Sequence, residues 1–322
     1  MRRLAILNDH EGCALRLADW SAVAAQCRID VFERPLPSTE EAARVLAPYE
    51  ILCLVRERMA LPGALLAQLP ALRFIAATGP INRTIDLQAS QARGIMVSYT
   101  RANDHAIHAT AELAWALALA VARHVAASDQ AMRQGRWPSR LGQGLRGRCL
   151  GLLGLGRIGQ CMARIGQAFG MEVIAWSENL QPASAAAAGV ERVGRKALFR
   201  RSDVLSLHVV LSDRTRGLVG RHELALMKPS AILVNTARGP VVDEDALVDA
   251  LERGAIAGAG LDVYALEPLP AGHALTRLPN VVMTPHLGFS TEEIFRGYFS
   301  DCVENVLAYL SGKPIRTTPM LA

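Results

Sequence analysis

The sequence predicts an α/β protein of two domains, each built on a parallel sheet covered by helices. Three observations predict it. The chain has 322 residues, more than a single core usually serves, and 51% of them are hydrophobic, enough for two cores. Short apolar runs alternate with helical patterns, first across the opening hundred residues and again over 149–285. A glycine-rich turn, Gly154-Leu155-Gly156-Arg157-Ile158-Gly159, follows the first strand of the second series.

In the first series, Leu4–Leu7, Ile51–Val55, Phe74–Ala77 and Ile95–Ser98 read as strands, and Val31-Phe32 as part of a weaker one. Helical patterns begin near Ser38, Pro62 and Ile85. Residues 104–134 form a long Ala/Leu-rich helical pattern, stopped by Gly135 and Pro138. The second series has strands at Cys149–Leu153, Val173–Trp176, Val204–Leu207, Ala231–Val234, Gly258–Leu261 and Val281–Met283. Ala183–Ala188 reads as an alanine-rich surface turn or helix. One more helix, Glu292–Leu310, follows the completed second domain. It can pack back on the first domain, which places 1–102 with 289–322 in the smaller domain and 103–288 in the larger.

The net charge is +5, scattered without a basic run interleaved with aromatics. That pattern argues against nucleic acid and suits an anionic substrate or cofactor. The six cysteines form no CxxC pair and no zinc spacing, so the reading is a reducing, cytoplasmic setting with no metal. Asn8-Asp9-His10-Glu11 ends the N-terminal apolar stretch too early for a signal peptide. Leu113–Ala122 is about half a membrane span, so no membrane association is expected.

The glycine turn sits inside a complete βαβ unit. The helical pattern behind it puts Ile158, Met162, Ile165 and Phe169 on one apolar side. Gly154 permits the tight turn, Gly156 lets the backbone approach a pyrophosphate, and Gly159 lets the helix lie close to the sheet. The helix N-terminus and Arg157 add attraction for the phosphates. These are the marks of a doubly wound Rossmann domain that binds a dinucleotide. At the end of the second strand Ser177 stands where an acid more often accepts the ribose hydroxyls. Glu178 would repel a 2′-phosphate, and no Arg or Lys follows until Arg192. NAD is favoured over NADP.

Three ionisable residues come directly after strands of the second series: Arg238, Glu267 and His286. In an open α/β sheet that edge binds ligands. Hydride transfer to a 2-oxo acid needs a cation for the carboxylate and carbonyl, which a guanidinium supplies. It also needs a proton donor for the developing alkoxide, which a histidine paired with a carboxylate supplies.

The segments Asn235-Thr236-Ala237-Arg238-Gly239, Leu261-Asp262-Val263-Tyr264 through Glu267-Pro268, and Thr284-Pro285-His286-Leu287-Gly288 resemble the signatures of the D-isomer-specific 2-hydroxyacid dehydrogenases. The resemblance spans essentially the whole chain and is most specific over 149–288. It implies that Arg238 binds substrate, His286 is the acid/base and Glu267 orients and charges it. It also implies that Asp262 contacts the nicotinamide carboxamide, and that Thr236 and Ala237 line the nicotinamide. The smaller domain would be flavodoxin-like and would carry substrate, and the protein would be a homodimer. Leu54–Arg58 and Thr78–Asn82 match the family's substrate-facing loops. The resemblance makes Arg56 a contact for a distal group of the substrate. It gives the carboxylate to backbone N–H groups of the second loop; Pro80 has none, which leaves Gly79 and Ile81.

Two departures are visible: Ser177 replaces the usual acid, and Leu207-His208-Val209-Val210 lacks a proline often found there. Glu267 argues against formate oxidation, whose enzymes carry Gln at that place. The chain's length argues against a phosphoglycerate dehydrogenase with a regulatory domain. The alternative to an enzyme is an NAD(H)-sensing corepressor or scaffold of the same fold.

Overall fold

The computed structural model describes residues 1–137 and 140–318. It divides into two compact units, Met1–His105 with Ser290–Ala322, and Ala106–Phe289.

The first unit contains β1 (Arg2–Leu7), β2 (Cys27–Phe32), β3 (Ile51–Leu54), β4 (Phe74–Ala77) and β5 (Met96–Tyr99). They form one all-parallel sheet in the order β2-β1-β3-β4-β5, the flavodoxin-like arrangement. Every residue of β3 and β4 is buried, because helices cover both faces. Ala5, Leu7, Leu52, Ile75 and Val97 pack on one face with Leu46 and Leu65. The C-terminal helix, Glu292–Leu310, belongs to this unit and buries Ile294, Tyr298, Phe299, Cys302 and Val306. Its Tyr309 ring stacks on Phe74 with centroids 4.5 Å apart.

The second unit contains β6 (Cys149–Leu153), β7 (Glu172–Trp176), β8 (Glu191–Arg192), β9 (Val204–Leu207), β10 (Ile232–Asn235), β11 (Gly258–Leu261) and β12 (Val281–Met283). The sheet order is β12-β11-β10-β9-β6-β7-β8, again all parallel. This is the doubly wound order extended by one strand, with its switch point between β6 and β9. One face packs on the helices His105–Ala122 and Arg157–Ala168. The other packs on helices that include Arg195–Arg201 and Glu244–Glu252.

Three readings of the sequence change. The pattern at 104–134 is two helices, His105–Ala122 and Val125–Arg133, broken at His124 with φ +54°. No glycine or proline breaks it: the Ala122 carbonyl accepts the Gln143 N–H at 2.8 Å, and His124 Nε2 lies 3.3 Å from the Leu141 carbonyl. Pro138, read as part of the stop, lies outside the described residues. The helix His105–Ala122 is long and apolar enough to cross a membrane, more than its Leu113–Ala122 core suggested. Here Ala111, Ala114, Trp115, Leu117 and Ala118 are buried in the unit's core. Finally, β8 has no counterpart among the predicted strands, since both of its residues are exposed. All six cysteines are free and buried.

Candidate active site

The turn after β6 has the shape that a pyrophosphate requires. Gly154 has φ +101°, and a Cβ there would lie 2.6 Å from the His208 carbonyl oxygen. A Cβ on Gly159 would lie 2.3 Å from the Gly154 oxygen, so a side chain at either position would push the turn apart. Gly156, at the N-terminus of the helix Arg157–Ala168, has open space where its side chain would be. The first helical N–H groups therefore lie beside an approachable backbone. Arg157 is exposed and Ile158 half-buried.

Ser177 follows β7, half-buried, and Glu178 is exposed. Arg192, distant in sequence, comes close in space because β8 pairs its Arg192 with Ala175. After β10, the Thr236 hydroxyl is buried and finds no hydrogen-bond partner among the described residues, in a residue 7% exposed. A buried hydroxyl left in this way is costly unless a ligand satisfies it. The turn and this hydroxyl fit a nicotinamide dinucleotide.

The three ionisable residues come from neighbouring strands, Arg238 after β10, Glu267 after β11 and His286 after β12. Asn235 shapes the first turn: its side chain accepts the Ala237 N–H at 3.0 Å and donates to the Arg238 carbonyl at 3.1 Å. Arg238 Nη1 donates to the Ala237 carbonyl at 2.7 Å. Glu267 Oε2 lies 2.6 Å from His286 Nδ1, and Glu267 Oε1 accepts the Tyr264 N–H at 2.9 Å. Burial pushes the Glu267 carboxyl up, but His286, the Tyr264 N–H and Arg238 outweigh it and hold the group below its ordinary range.

His286 adopts φ +57°, a left-handed conformation that a non-glycine residue holds only when its surroundings enforce it. Asp262 supplies that enforcement. Its carbonyl accepts the His286 N–H at 2.8 Å. Its carboxylate accepts the Thr284 hydroxyl (2.5 Å), the Leu287 N–H (2.7 Å) and the Gly288 N–H (2.9 Å). Burial pushes this carboxyl up despite those bonds. Asp262 is thus a support beneath the histidine, a part that its sequence position did not reveal.

Residues 115–288 match the family described as D-isomer specific 2-hydroxyacid dehydrogenase, NAD binding domain. The glyoxylate reductase of Thermococcus litoralis is 42% identical over 258 residues, which is 77% of each chain. The chain belongs to the D-isomer specific 2-hydroxyacid dehydrogenases. A crystal structure described as a D-3-phosphoglycerate dehydrogenase oxidoreductase from Ralstonia solanacearum superimposes with a TM-score of 0.92. It is 34% identical, and the match covers 99% of this chain and 98% of that one. The apo D-lactate dehydrogenase of Escherichia coli gives 0.83 at 25% identity, covering 98% and 99%. The protein is an NAD-linked oxidoreductase acting on the CH–OH group of hydroxy acids. The corepressor or scaffold alternative gains no support from these relatives.

Two further parts of this dehydrogenase bear on its chemistry. His208, on the turn against Gly154, sits with Nε2 2.9 Å from the Ser206 hydroxyl. Burial pushes its imidazole down to about 4, so it is neutral at ordinary pH. In the sequence only the missing proline beside it marks the place.

In the first unit, Arg56 has φ +53° and its N–H donates to the Thr78 hydroxyl at 2.7 Å. Its guanidinium donates to the Thr78 carbonyl at 3.2 Å and lies 5.8 Å from the Tyr298 ring centre. Gly79 is not the free donor expected of it, because its N–H is bonded to the Thr100 hydroxyl at 2.7 Å. Its φ is +87°, in the left-handed region that favours glycine. What the glycine provides is room: a Cβ there would lie 1.5 Å from Arg56 Nη1. Ile81 is 59% exposed, and among the described residues nothing accepts its N–H.

Proposed function

We propose that this dehydrogenase reduces a small 2-oxo acid of the glyoxylate or hydroxypyruvate class to the corresponding 2-hydroxy acid, of D configuration where the product is chiral, with His286 as the acid/base. The reading is carried by the 2.6 Å contact between Glu267 Oε2 and His286 Nδ1, at the sheet edge that Arg238 shares. Glyoxylate reductases among the relatives, from Thermococcus litoralis and Aeropyrum pernix, support the small acid. The bound nicotinamide supplies or accepts the hydride.

Arg238 binds the substrate carboxylate and polarises the carbonyl. With the Nδ1 proton committed to Glu267, Nε2 is the nitrogen left to protonate the developing alkoxide. In the oxidative direction it takes the proton back. Gly154, Gly156, Arg157, Ile158 and Gly159 bind the pyrophosphate, and Ser177 and Glu178 the ribose. Thr236 and Ala237 line the nicotinamide, and Asp262 has acceptor capacity left for the carboxamide. In the first unit, Arg56 and the Ile81 N–H are the anion contacts. Residues 103–288 act as the NAD domain, and 1–102 with 289–322 as the substrate domain.

The protein works as a cytoplasmic homodimer. Support for the dimer comes from apolar side chains left outside on the second unit: Val125, Met132, Trp137 (87% exposed) and Leu141 (98%). Light scattering should give twice the chain mass, and Trp137→Asp should lower it; a monomeric wild type would refute the dimer. For the chemistry, His286→Ala should lower kcat by about 10³-fold while NADH binding, read by fluorescence, stays nearly intact. Lost cofactor affinity with intact chemistry would overturn the role given to His286.

A further inference from the structure

Glu267 reaches His286 from a long irregular connection, residues 262–273, that runs from β11 to the short 3-10 turn Ala274–Arg277. Its side chain is a third exposed, so the surrounding core does little to fix it. Two points on this connection, near its start and at its end, converge on one carboxylate, that of Glu244. Glu244 is the first residue of the helix Glu244–Glu252.

Glu244 Oε2 accepts the Ala265 N–H at 3.0 Å. Glu244 Oε1 lies 3.3 Å from His273 Nε2, and both side chains are more buried than the Glu267–His286 pair (19% and 24% exposed against 34% and 33%). The tautomer of His273 follows from its other nitrogen. Nδ1 accepts the Leu275 N–H at 3.3 Å and caps the 3-10 turn, so the proton sits on Nε2 and is donated to Glu244. The contact needs only a neutral imidazole.

The other side of the same stretch is fixed by backbone. A Cβ on Gly239 would lie 1.9 Å from the Tyr264 carbonyl carbon and 2.5 Å from the Ala265 nitrogen. The Tyr264–Ala265 peptide is therefore pinched between the segment carrying Arg238 and the Glu244 carboxylate. Two successive amides serve two glutamates: the Tyr264 N–H goes to Glu267, and the Ala265 N–H to Glu244. The two peptide planes meet at the Tyr264 Cα, so a shift of one reaches the other through a single residue.

We propose that Glu244 and His273 are positioning residues for the proton relay, a clasp that closes the 262–273 connection and so sets the Glu267–His286 contact. The proposal rests on the reading of Glu267 and His286 as that relay. The charged or titratable groups facing Glu267 are His286, Arg238 and the Tyr264 side chain, and the Tyr264 phenol in turn feels Asp262 and, from the helix, Glu244. His273 adds no charge to this set while it is neutral. Its replacement by an uncharged residue therefore tests position and not field.

The test compares His273→Leu, which loses the clasp, with His273→Gln, whose amide can still donate to Glu244. His273→Asn, which keeps the cap on Leu275 but is too short for Glu244, is the variant to use if the leucine protein does not fold. Two readouts on the full chain are needed: the pH profile of NADH oxidation with glyoxylate as probe, and the NMR titration of the His286 imidazole without cofactor. Loss of the clasp should lower kcat about tenfold with the KM for NADH unchanged. It should also move both the profile and the titration midpoint down by about half a pH unit, and His273→Gln should restore all three. Superimposable titrations for wild type and the leucine or asparagine variant, with activity scaling only with folded fraction, would reduce the clasp to a structural bond and overturn the proposal. A His286→Ala enzyme that kept its turnover would instead remove the relay reading, while the NMR midpoint would still report on the clasp.

Discussion

Glu267→Gln isolates the charge of the proton relay, because the two side chains have nearly the same shape. The wild-type contact is a 2.6 Å bond between groups whose side chains are 34% and 33% exposed. A hydrogen bond to a charged group contributes about 1.5–3 kcal/mol. Exposure to water screens the pair, so the lower end, about 1.5 kcal/mol, is the reasonable share, equivalent to about one pH unit. The sign follows from the chemistry. Reduction needs the imidazolium, a carboxylate favours that form, and its removal lets the proton leave at lower pH. The alkaline limb of the reduction profile should therefore move down by about one unit. Initial rates of NADH oxidation at saturating cofactor, taken from roughly pH 5 to 9, measure it. An unmoved limb, with the variant folded and binding NADH, would refute the pairing as part of the mechanism.

Two other outcomes follow from buried polar groups. Thr236→Val removes a hydroxyl that has no partner among the described residues; it should leave the cofactor-free protein about 1 kcal/mol more stable to urea and weaken NADH binding about five- to tenfold. Unchanged NADH affinity would show that the hydroxyl does not meet the cofactor. His208, held neutral with its imidazole pushed down from 6.5 to about 4, gives a pH-dependent stability. A histidine depressed in the folded state contributes fully above its unfolded value, and the contribution is lost as pH falls from about 6.5 to about 4, to a total of about 3 kcal/mol. Urea midpoints stepped through that window should fall in the wild type and less steeply in His208→Gln; equal slopes would contradict it.

The parts that were legible in sequence are those in which one local pattern decides the outcome. Ile51–Leu54 and Phe74–Ala77 are buried on both faces, and a continuous apolar run is what such strands look like. Arg238, Glu267 and His286 could be found because each follows a strand at the edge where α/β proteins bind ligands. Other features depend on partners far along the chain. The helix break at His124 is stabilised by Gln143, and the Gly79 N–H is taken by Thr100. Edge strand β8 has no apolar residue to announce it. Glu244 reads in sequence as an ordinary acid in a helix's first turn, and His273 as a turn histidine. Only the fold brings Glu244 onto the connection that carries both Glu267 and His273.

The helix Glu292–Leu310 completes a unit whose first part, Met1–His105, is interrupted by the whole of the second unit. Arg101 donates its N–H to Asp301 at a separation of 200 residues, and Tyr309 donates its hydroxyl to Glu50 at a separation of 259. During synthesis the first five strands emerge with β4 and β5 still lacking the helix that packs on them, since it is encoded last. The dinucleotide-binding unit, continuous in sequence, can close before that cover exists. Loop closure over such distances is slow, which makes docking of the last helix a late event in maturation. Until then the apolar faces of Phe74 and its neighbours are what a nascent chain must keep from other chains.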